Sequence, residues 1–335
     1  MLERSVTEGR LRHASLLVGP ARVGKAEVAR WLATRLNCLG ASPPCGVCRT
    51  CHLIAAGTHP DVRAVQLAAD RDSTLGLAFD VPQASARGPE RAIGIAQIRA
   101  LQHDASLAPH EGRWKVYLIV GAESLSPEAA NCLLKTLEEP PARVVLILTC
   151  VDQQELLPTV VSRCQVVRLT PVPWPTIAAA LEADHGCDPE RASLLARLSG
   201  GRPGWAIEAA TRPAELEERT GALRDLEETL RPGYRERLGV AERLATDYSR
   251  DQGKVLRTLA SWQLVWWDVL LIQRGCADLI TSSDREDLLR SLAAQIPRPA
   301  VEAQVRNVGL AARRLIQNVN PRLALEALLV SGPVV

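Results

Sequence analysis

The chain has 335 residues, of which 47% are hydrophobic, and a formal net charge of +2. That is enough apolar material for two or three domains, each with its own core, and the near-neutral charge by itself does not indicate nucleic-acid binding. No stretch approaches the ~20 apolar residues that cross a bilayer, and Met1 to Arg4 contain no apolar signal-peptide core. Composition therefore predicts a soluble, cytoplasmic protein with no membrane partner.

The first 170 residues alternate short apolar runs with helical patterns, which is typical of a parallel α/β sheet. One helix begins at about Lys25, and its apolar residues recur on one face. Another begins at Ser126, an expected N-cap, with Pro127 at its first position, and Pro140-Pro141 ends it. The predicted strands are Ser15–Val18, Val116–Val120, Val144–Leu148 and Val166–Leu169.

A phosphate-binding loop is predicted where the first strand meets the first long helix. Residues 19–25, Gly-Pro-Ala-Arg-Val-Gly-Lys, match the pattern G-x-x-x-x-G-K in the required strand–loop–helix context. Gly19 and Gly24 allow backbone N–H groups to curve around a phosphate, and Lys25 supplies a point charge. Lys25 is one of only four lysines in the chain, so a chance match is disfavoured.

The loop lacks the residues that would hold catalytic magnesium. Position 26 should carry a hydroxyl and is Ala26, and the strand that should end in an acidic pair runs into Val120 and Gly121. Glu123 comes two residues too late for that role. Phosphoryl transfer depends on positioning and metal electrostatics, so we expect a P-loop scaffold that hydrolyses no ATP. Retention of Lys25 leaves ATP or ADP binding an open question.

Four of the nine cysteines form a cluster, at Cys38, Cys45, Cys48 and Cys51. The other five are scattered and odd in number, which argues against a secreted disulfide framework. Four thiolates at this spacing suit a closed tetrahedral Zn²⁺ site, and four protein ligands indicate a structural role. We therefore predict structural zinc in a module inserted after the P-loop helix.

Two further stretches divide the chain. Residues 68–92 are rich in Asp, Arg, Gly, Pro and Ser, which predicts a surface insertion without fixed structure. From Pro173 onward only helical patterns remain, interrupted by glycines and by a second boundary at residues 211–213. A long apolar helix carries Trp262, Trp266 and Trp267, which we interpret as core or subunit-interface residues rather than as a base-stacking platform.

Several motifs occur in one order: residues 10–14 (Arg-Leu-Arg-His-Ala), the phosphate loop, residues 115–120, residues 133–141 (Leu-Leu-Lys-Thr-Leu-Glu-Glu-Pro-Pro) and residues 162–164 (Ser-Arg-Cys). Together they closely resemble the bacterial AAA+ clamp-loader subunits of DNA polymerase III. Residues 318–321, Asn-Val-Asn-Pro, are similar to the end of that family's third domain. The strong motifs cover about residues 9–170.

The resemblance implies a three-domain architecture. Residues 1–172 would form an AAA+ P-loop domain with the zinc module at 38–51. Residues 173–211 would form a small helical lid domain, and residues 212–335 an all-α oligomerisation domain, or collar.

This chain has Ala26, Val120-Gly121, Cys150 and Pro203-Gly204 at positions where the active ATPase subunits of that family carry catalytic residues. In this it resembles the delta-prime type, which does not hydrolyse ATP. That likeness implies that Arg163 is an arginine finger for a neighbouring ATPase subunit. Its partners would be the gamma/tau and delta subunits, with the sliding clamp and primer-template DNA reached through the complex. For Arg163, a local salt bridge is the alternative.

Two other functions compete with this one. A self-sufficient AAA+ motor subunit is disfavoured by Ala26, Val120 and Gly121. A zinc-dependent DNA-binding module is disfavoured by the neutral net charge and the lack of a basic stripe near the cysteines.

Overall fold

The computed structural model describes residues 2–67, 92–212, 214–317 and 319–334. The chain divides into two compact units, Met1–Pro171 and Val172–Val335. The predicted insertion at 68–92 lies, except for Ala92, outside the described residues, as does Asn318.

The first unit is built on a parallel five-stranded sheet, in the order β2-β3-β4-β1-β5. The three central strands are buried along their whole length, because helices cover both faces of the sheet. The predicted parallel α/β sheet is confirmed. Its strands are β1 (Ala14–Val18), β2 (Val62–Val65), β3 (Lys115–Ile119), β4 (Val144–Cys150) and β5 (Gln165–Arg168).

Three helices pack on each face of this sheet. Leu2, Leu32 and Ile54 bring α1, α2 and α3 onto one face, and residues such as Ile98 and Leu133 bring α4, α5 and α6 onto the other. The helices are α1 (Leu2–Thr7), α2 (Lys25–Asn37), α3 (Arg49–Ala55), α4 (Ile95–Ala105), α5 (Pro127–Glu138) and α6 (Pro158–Val161).

Helix α5 follows the sequence prediction at both ends. The Ser126 hydroxyl accepts a hydrogen bond from the N–H of Ala129 at 3.2 Å, and Pro127 is the first helical residue. The helix ends at Glu138, before Pro140-Pro141. A side-chain cap and a proline at the first position therefore fix its start.

Strand β3 lies one residue earlier than predicted, because Lys115 is part of it. This lysine is only 4% exposed. Its ammonium donates to the carbonyl oxygen of Asp104 at 2.7 Å and lies 3.3 Å from the Asp104 carboxylate. A charged residue normally marks the end of an apolar run. Here the buried ion pair with Asp104 stabilises the charge, so Lys115 is part of the strand. Strand β2, which the sequence analysis did not predict, carries Arg63, which also pairs with Asp104.

The second unit is entirely helical in its described residues. Helices α7, α8 and α9 surround a small core that includes Leu181, Leu195 and Ala206, and the later helices share a separate, larger core. The helices are α7 (Trp174–His185), α8 (Pro189–Leu198), α9 (Pro203–Thr211), α10 (Ala214–Leu230), α11 (Tyr234–Arg250), α12 (Gln252–Gln273), α13 (Glu286–Gln295), α14 (Arg298–Ile316) and α15 (Pro321–Val330).

Helix α12 is the central helix of the larger core. Among the described residues it is the one helix that is long and apolar enough to cross a membrane. This finding qualifies the expectation that no stretch of the chain approaches the length of a membrane span. Trp262 and Trp266 are buried, and the indole N–H of Trp262 donates to the carbonyl oxygen of Ala222 at 2.6 Å. Trp267 is 48% exposed, so two of the three tryptophans are core residues.

Candidate functional site

The phosphate loop lies between β1 and α2, as predicted. Gly24 has φ +104°, and a side chain at Gly19 would come within 2.5 Å of the carbonyl oxygen of Leu169. Both positions therefore require glycine, one for its backbone conformation and one for space. Arg22, between them, also has positive φ, 62°. The loop thus curves tightly into the first turn of α2.

Lys25, the first residue of α2, is folded onto this loop. Its ammonium donates to the carbonyl oxygen of Gly19 at 2.5 Å and to that of Pro20 at 2.8 Å. Burial lowers the pKa of Lys25, and the negative charge of Glu123 opposes that shift. Two carbonyl oxygens of the loop therefore hold the Lys25 ammonium against it.

The positions that would hold magnesium carry no ligand. Ala26 offers a methyl group, Val120 an apolar side chain, and Gly121 has φ +66° with its N–H donating to the Thr149 hydroxyl at 3.1 Å. Cys150, the last residue of β4, is buried, and burial raises its pKa to about 11.

Glu123 lies near this loop, two residues beyond the position expected for the acidic pair. One carboxylate oxygen accepts a 3.4 Å hydrogen bond from the N–H of Val151, and the other is buried without a hydrogen-bond partner among the described residues. Its charge acts on both Lys25 and Cys150. An acidic residue in the turn after a central strand is the signal that could have identified it.

Arg163 lies just beyond α6, and its guanidinium is engaged within its own chain. One terminal nitrogen lies 2.6 Å from a carboxylate oxygen of Glu138. The other donates to the carbonyl oxygen of Thr159 at 3.0 Å and to the Ser162 hydroxyl at 3.4 Å. The side chains of Arg163 and Glu138 are 35% and 49% exposed. The structure thus contains the local salt bridge that the sequence analysis gave as the alternative.

Arg202 lies in the second unit, directly before Pro203-Gly204 and the start of α9. Its Nε donates to the carbonyl oxygen of Ser199 at 2.6 Å. Arg202 and Pro203 belong to the second unit and the phosphate loop to the first.

The cysteine cluster forms where α2 ends. The four sulfur atoms of Cys38, Cys45, Cys48 and Cys51 lie within 4.8 Å of one another. Three of the pairs lie at 3.9, 3.9 and 3.4 Å. In a tetrahedral zinc site, Zn–S bonds of about 2.3 Å put the sulfurs about 3.8 Å apart. The four cysteines can therefore hold a metal ion.

Backbone N–H groups point at these sulfurs. The N–H groups of Gly40 and Cys45 each donate to the Cys38 sulfur at 3.3 Å, and they lower its pKa although burial opposes the shift. The pKa of Cys48 is lowered to about 6, because the N–H groups of Leu39 and Cys51 donate to it. Burial and the neighbouring thiols raise the pKa of Cys51 to about 12. Backbone N–H groups therefore favour the thiolate form of Cys38 and Cys48.

The segment also requires small residues. A side chain at Gly40 would come within 2.8 Å of Cβ and 2.9 Å of the sulfur of Cys45, and Gly46 has φ +73°. The cluster is thus packed tightly enough that a single added carbon would disturb it.

A buried aspartate holds the chain that follows this module against the loop before β3. Asp61 is 2% exposed, and its carboxylate accepts 2.7 Å bonds from three consecutive N–H groups, of residues 110, 111 and 112. These three bonds lower its pKa against the effect of burial. Nearby His59 is equally buried, its Nδ1 accepts from the N–H of Asp61 at 3.1 Å, and burial lowers its pKa.

Comparisons with known proteins find both sequence relatives and similar solved structures. A sequence profile for the family described as "DNA polymerase III, delta subunit" matches residues 1–173. The DNA polymerase III subunit delta' of Bacillus subtilis is 31% identical over 98% of this chain and 93% of its own length. The DNA polymerase III subunit tau of Salmonella typhimurium is 35% identical over 60% of this chain, which is 29% of the tau sequence.

Among solved structures, a DNA polymerase III gamma subunit-related protein from Thermotoga maritima covers 98% of this chain and 97% of its own, with 19% identity and a TM-score of 0.44. The family profile over half the chain and the nearly full-length match to the Bacillus subtilis protein establish the relationship: the chain belongs to the DNA polymerase III subunit delta' family.

Proposed function

We propose that this chain is a clamp-loader subunit of DNA polymerase III that hydrolyses no ATP itself and supplies Arg163 to a neighbouring subunit's ATP site. The observation that carries the proposal is a well-formed phosphate loop with no magnesium ligand at Ala26, Val120 or Gly121. Without a metal to neutralise the developing charge, the chain's own site lacks most of what phosphoryl transfer requires.

The position of Arg163 supports the second half of the proposal. It follows a short helix and precedes the edge strand β5, and its side chain is partly exposed. A guanidinium stays charged and can bind two phosphate oxygens at once, which suits the charge that develops on a transferring γ-phosphoryl group. Arginines supplied in trans raise such rates by ~10³–10⁵ in other systems.

The proposed partners are the gamma/tau ATPase subunits and the delta subunit, with the sliding clamp and primer-template DNA reached through the complex in the cytoplasm. We propose that residues 1–172 carry the P-loop and Arg163, 173–211 form a lid, and 212–335 the collar that joins the ring. Exposed apolar side chains such as Ile316, 64% exposed, and Leu323, 62% exposed, support a partner surface on this last segment.

The collar assignment is tested in the full-length chain by Ile316→Asp and Leu323→Asp. Either change should reduce co-elution with the partner subunits. The control is Leu107→Asp, at an exposed leucine of the first unit (54%). Full co-elution of both collar variants would place the interface elsewhere.

We further propose that the ion held by Cys38, Cys45, Cys48 and Cys51 is Zn²⁺. The donor set is all sulfur, the spacing of the sulfurs suits a tetrahedron, and among the described residues the cluster contains these four ligands alone. A closed site of this kind stabilises the segment between α2 and β2 and takes no part in chemistry.

The central experiment uses the reassembled complex with clamp and primed DNA. Arg163→Ala should leave this subunit folded and assembled while sharply lowering stimulated ATP turnover. Arg163→Lys should also fail, because an ammonium does not reproduce the two-pronged contact. Arg168→Ala, an exposed arginine five residues on, is the matched control. Wild-type turnover with Arg163→Ala would assign Arg163 a purely structural role.

The active-motor alternative rests on Glu123, whose buried, unpartnered carboxylate oxygen lies in the turn after β3. If Glu123 replaced the missing acidic pair, the isolated chain would hydrolyse ATP, and that turnover would disappear in Lys25→Ala.

A further inference from the structure

The guanidinium of Arg163 already holds a carboxylate of its own subunit. Its one carboxylate contact in the described chain is the 2.6 Å bond to Glu138, and its other terminal nitrogen is turned toward the carbonyl oxygen of Thr159. An arginine that serves a neighbour's γ-phosphate needs these same two terminal nitrogens for phosphate oxygens. In this chain both are occupied by groups within the subunit.

The contact is one that a phosphate can displace. The closest approach joins one terminal nitrogen of Arg163 to one carboxylate oxygen of Glu138, and both side chains are more than one-third exposed. Exposed ion pairs of this kind contribute little to stability and are screened by salt. A γ-phosphate bears more charge than a carboxylate and can accept two parallel bonds from the guanidinium. Exchange of Glu138 for a phosphate is therefore favourable once a phosphate is within reach.

The location of Glu138 strengthens its hold on the arginine when no phosphate is present. Glu138 is the last residue of α5, and α5 packs against α6, the helix after which Arg163 follows. The carboxyl end of a helix carries partial negative charge, so the carboxylate and the end of α5 attract the guanidinium together. Replacing Glu138 by glutamine removes the full charge but leaves the helix end in place.

We infer that Glu138 is a positioning residue that competes with the neighbouring subunit's γ-phosphate for Arg163. In the free subunit Glu138 keeps the guanidinium folded back, and docking against an ATP-loaded neighbour transfers the guanidinium from carboxylate to phosphate. The proton count is unchanged, because both anions accept hydrogen bonds from a permanently charged donor. This inference rests on the proposed function of Arg163.

The test compares Glu138→Gln with Glu139→Gln, which makes the same charge change one residue further on, at another exposed position. The affinity of this subunit for the ATPase subunit is measured twice, with ADP–beryllium fluoride as a γ-phosphate mimic and with ADP alone. Glu138→Gln should tighten the complex with the mimic by up to about fivefold, the size expected for an exposed ion pair. With ADP it should change nothing, and Glu139→Gln should match wild type with both nucleotides.

If the ion pair had only a structural role, Glu138→Gln would change the affinity equally with ADP and with ADP–beryllium fluoride. Combining Glu138→Gln with Arg163→Ala should remove the gain, because the competition requires both side chains. Weaker binding of Glu138→Gln to the mimic-loaded subunit, or an unchanged affinity, would overturn the inference.

The proposed function is judged separately. If Arg163→Ala alone lowers turnover and Glu138→Gln has no effect, the finger assignment stands and the competition is refuted. If Arg163→Ala keeps wild-type turnover, the finger assignment itself falls.

Discussion

The ammonium of Lys25 donates a 2.5 Å hydrogen bond to the carbonyl oxygen of Gly19, the first residue of the same phosphate loop. With the second bond, to Pro20, two of its three N–H donors are satisfied inside the loop. A phosphate entering the loop would have to attract this lysine away from the two carbonyl oxygens. Since Ala26, Val120 and Gly121 offer no magnesium ligand, the phosphate would have to attract the lysine without the help of a metal held at those positions.

Negligible ATP hydrolysis by the isolated chain is therefore expected. Ala26→Ser, which restores the missing hydroxyl, should not by itself create turnover, because Val120 and Gly121 still offer no carboxylate for the metal. Phosphate release by wild type, Ala26→Ser and Lys25→Ala should be indistinguishable in a steady-state assay. Steady turnover by wild type that disappears in Lys25→Ala would instead support an active motor, with Glu123 as the acidic residue.

One zinc ion per chain is expected in freshly purified protein. Cys48→Ser should abolish stoichiometric zinc in elemental analysis, whereas Cys276→Ser, at a half-buried cysteine outside the cluster, should keep it. Gly40→Ala should weaken retention against a chelator, because the added carbon would contact Cys45 at 2.8 Å. Chelation should loosen the segment between α2 and β2 without unfolding the sheet. Absence of zinc from the wild-type chain would refute the assignment.

Among the described arginines, Arg237 is expected to lower the free energy of unfolding most when it is substituted. It is 3% exposed, and it donates to the carbonyl oxygens of Thr229, Leu329, Gly332 and Pro333 at 2.9, 3.2, 3.1 and 2.7 Å. Thr229 and Leu329 lie in the last turns of α10 and α15, and the partial negative charge of these helix ends compensates the buried cation. Arg237→Met would remove these donors from the buried carbonyl groups and should lower the free energy of unfolding by about 3 kcal/mol.

The control for this change is Arg235→Met, at an exposed position in the same helix, which should shift the free energy of unfolding by no more than about 0.5 kcal/mol. Denaturant unfolding followed by circular dichroism measures both. Equal stability of the two variants would show that Arg237 does not fasten the C-terminal residues.

His59 should make stability depend on pH below neutrality. Burial lowers its pKa below the ordinary 6.5, so just below that pH the unfolded chain binds a proton that the folded chain does not. Its contribution is fully present above pH 6.5 and declines as the pH falls below that value. His59→Gln should flatten this slope in melting temperature relative to wild type, and exposed His103→Gln should not. Parallel slopes for wild type and His59→Gln would contradict the prediction.

The sequence by itself determined the features that are encoded locally. The strand–loop–helix at Gly19 to Lys25, the start of α5 at Ser126 and the spacing of the four cysteines each depend on residues that are neighbours in the chain. Glycine, proline and capping side chains act over three or four residues, and thiols this close in sequence meet without help from the rest of the fold. The parallel sheet followed from the alternation of such segments.

The tertiary structure alone decided what depends on distant residues. Lys115 is a strand residue because Asp104 neutralises it, and the sequence pattern placed the strand start after it. Arg163 meets Glu138 across 25 positions, and Arg237 binds carbonyl groups more than 90 residues away. Such partners are brought together by packing of whole elements, and burial then determines the cost of leaving a charge unpaired. No local pattern carries that information.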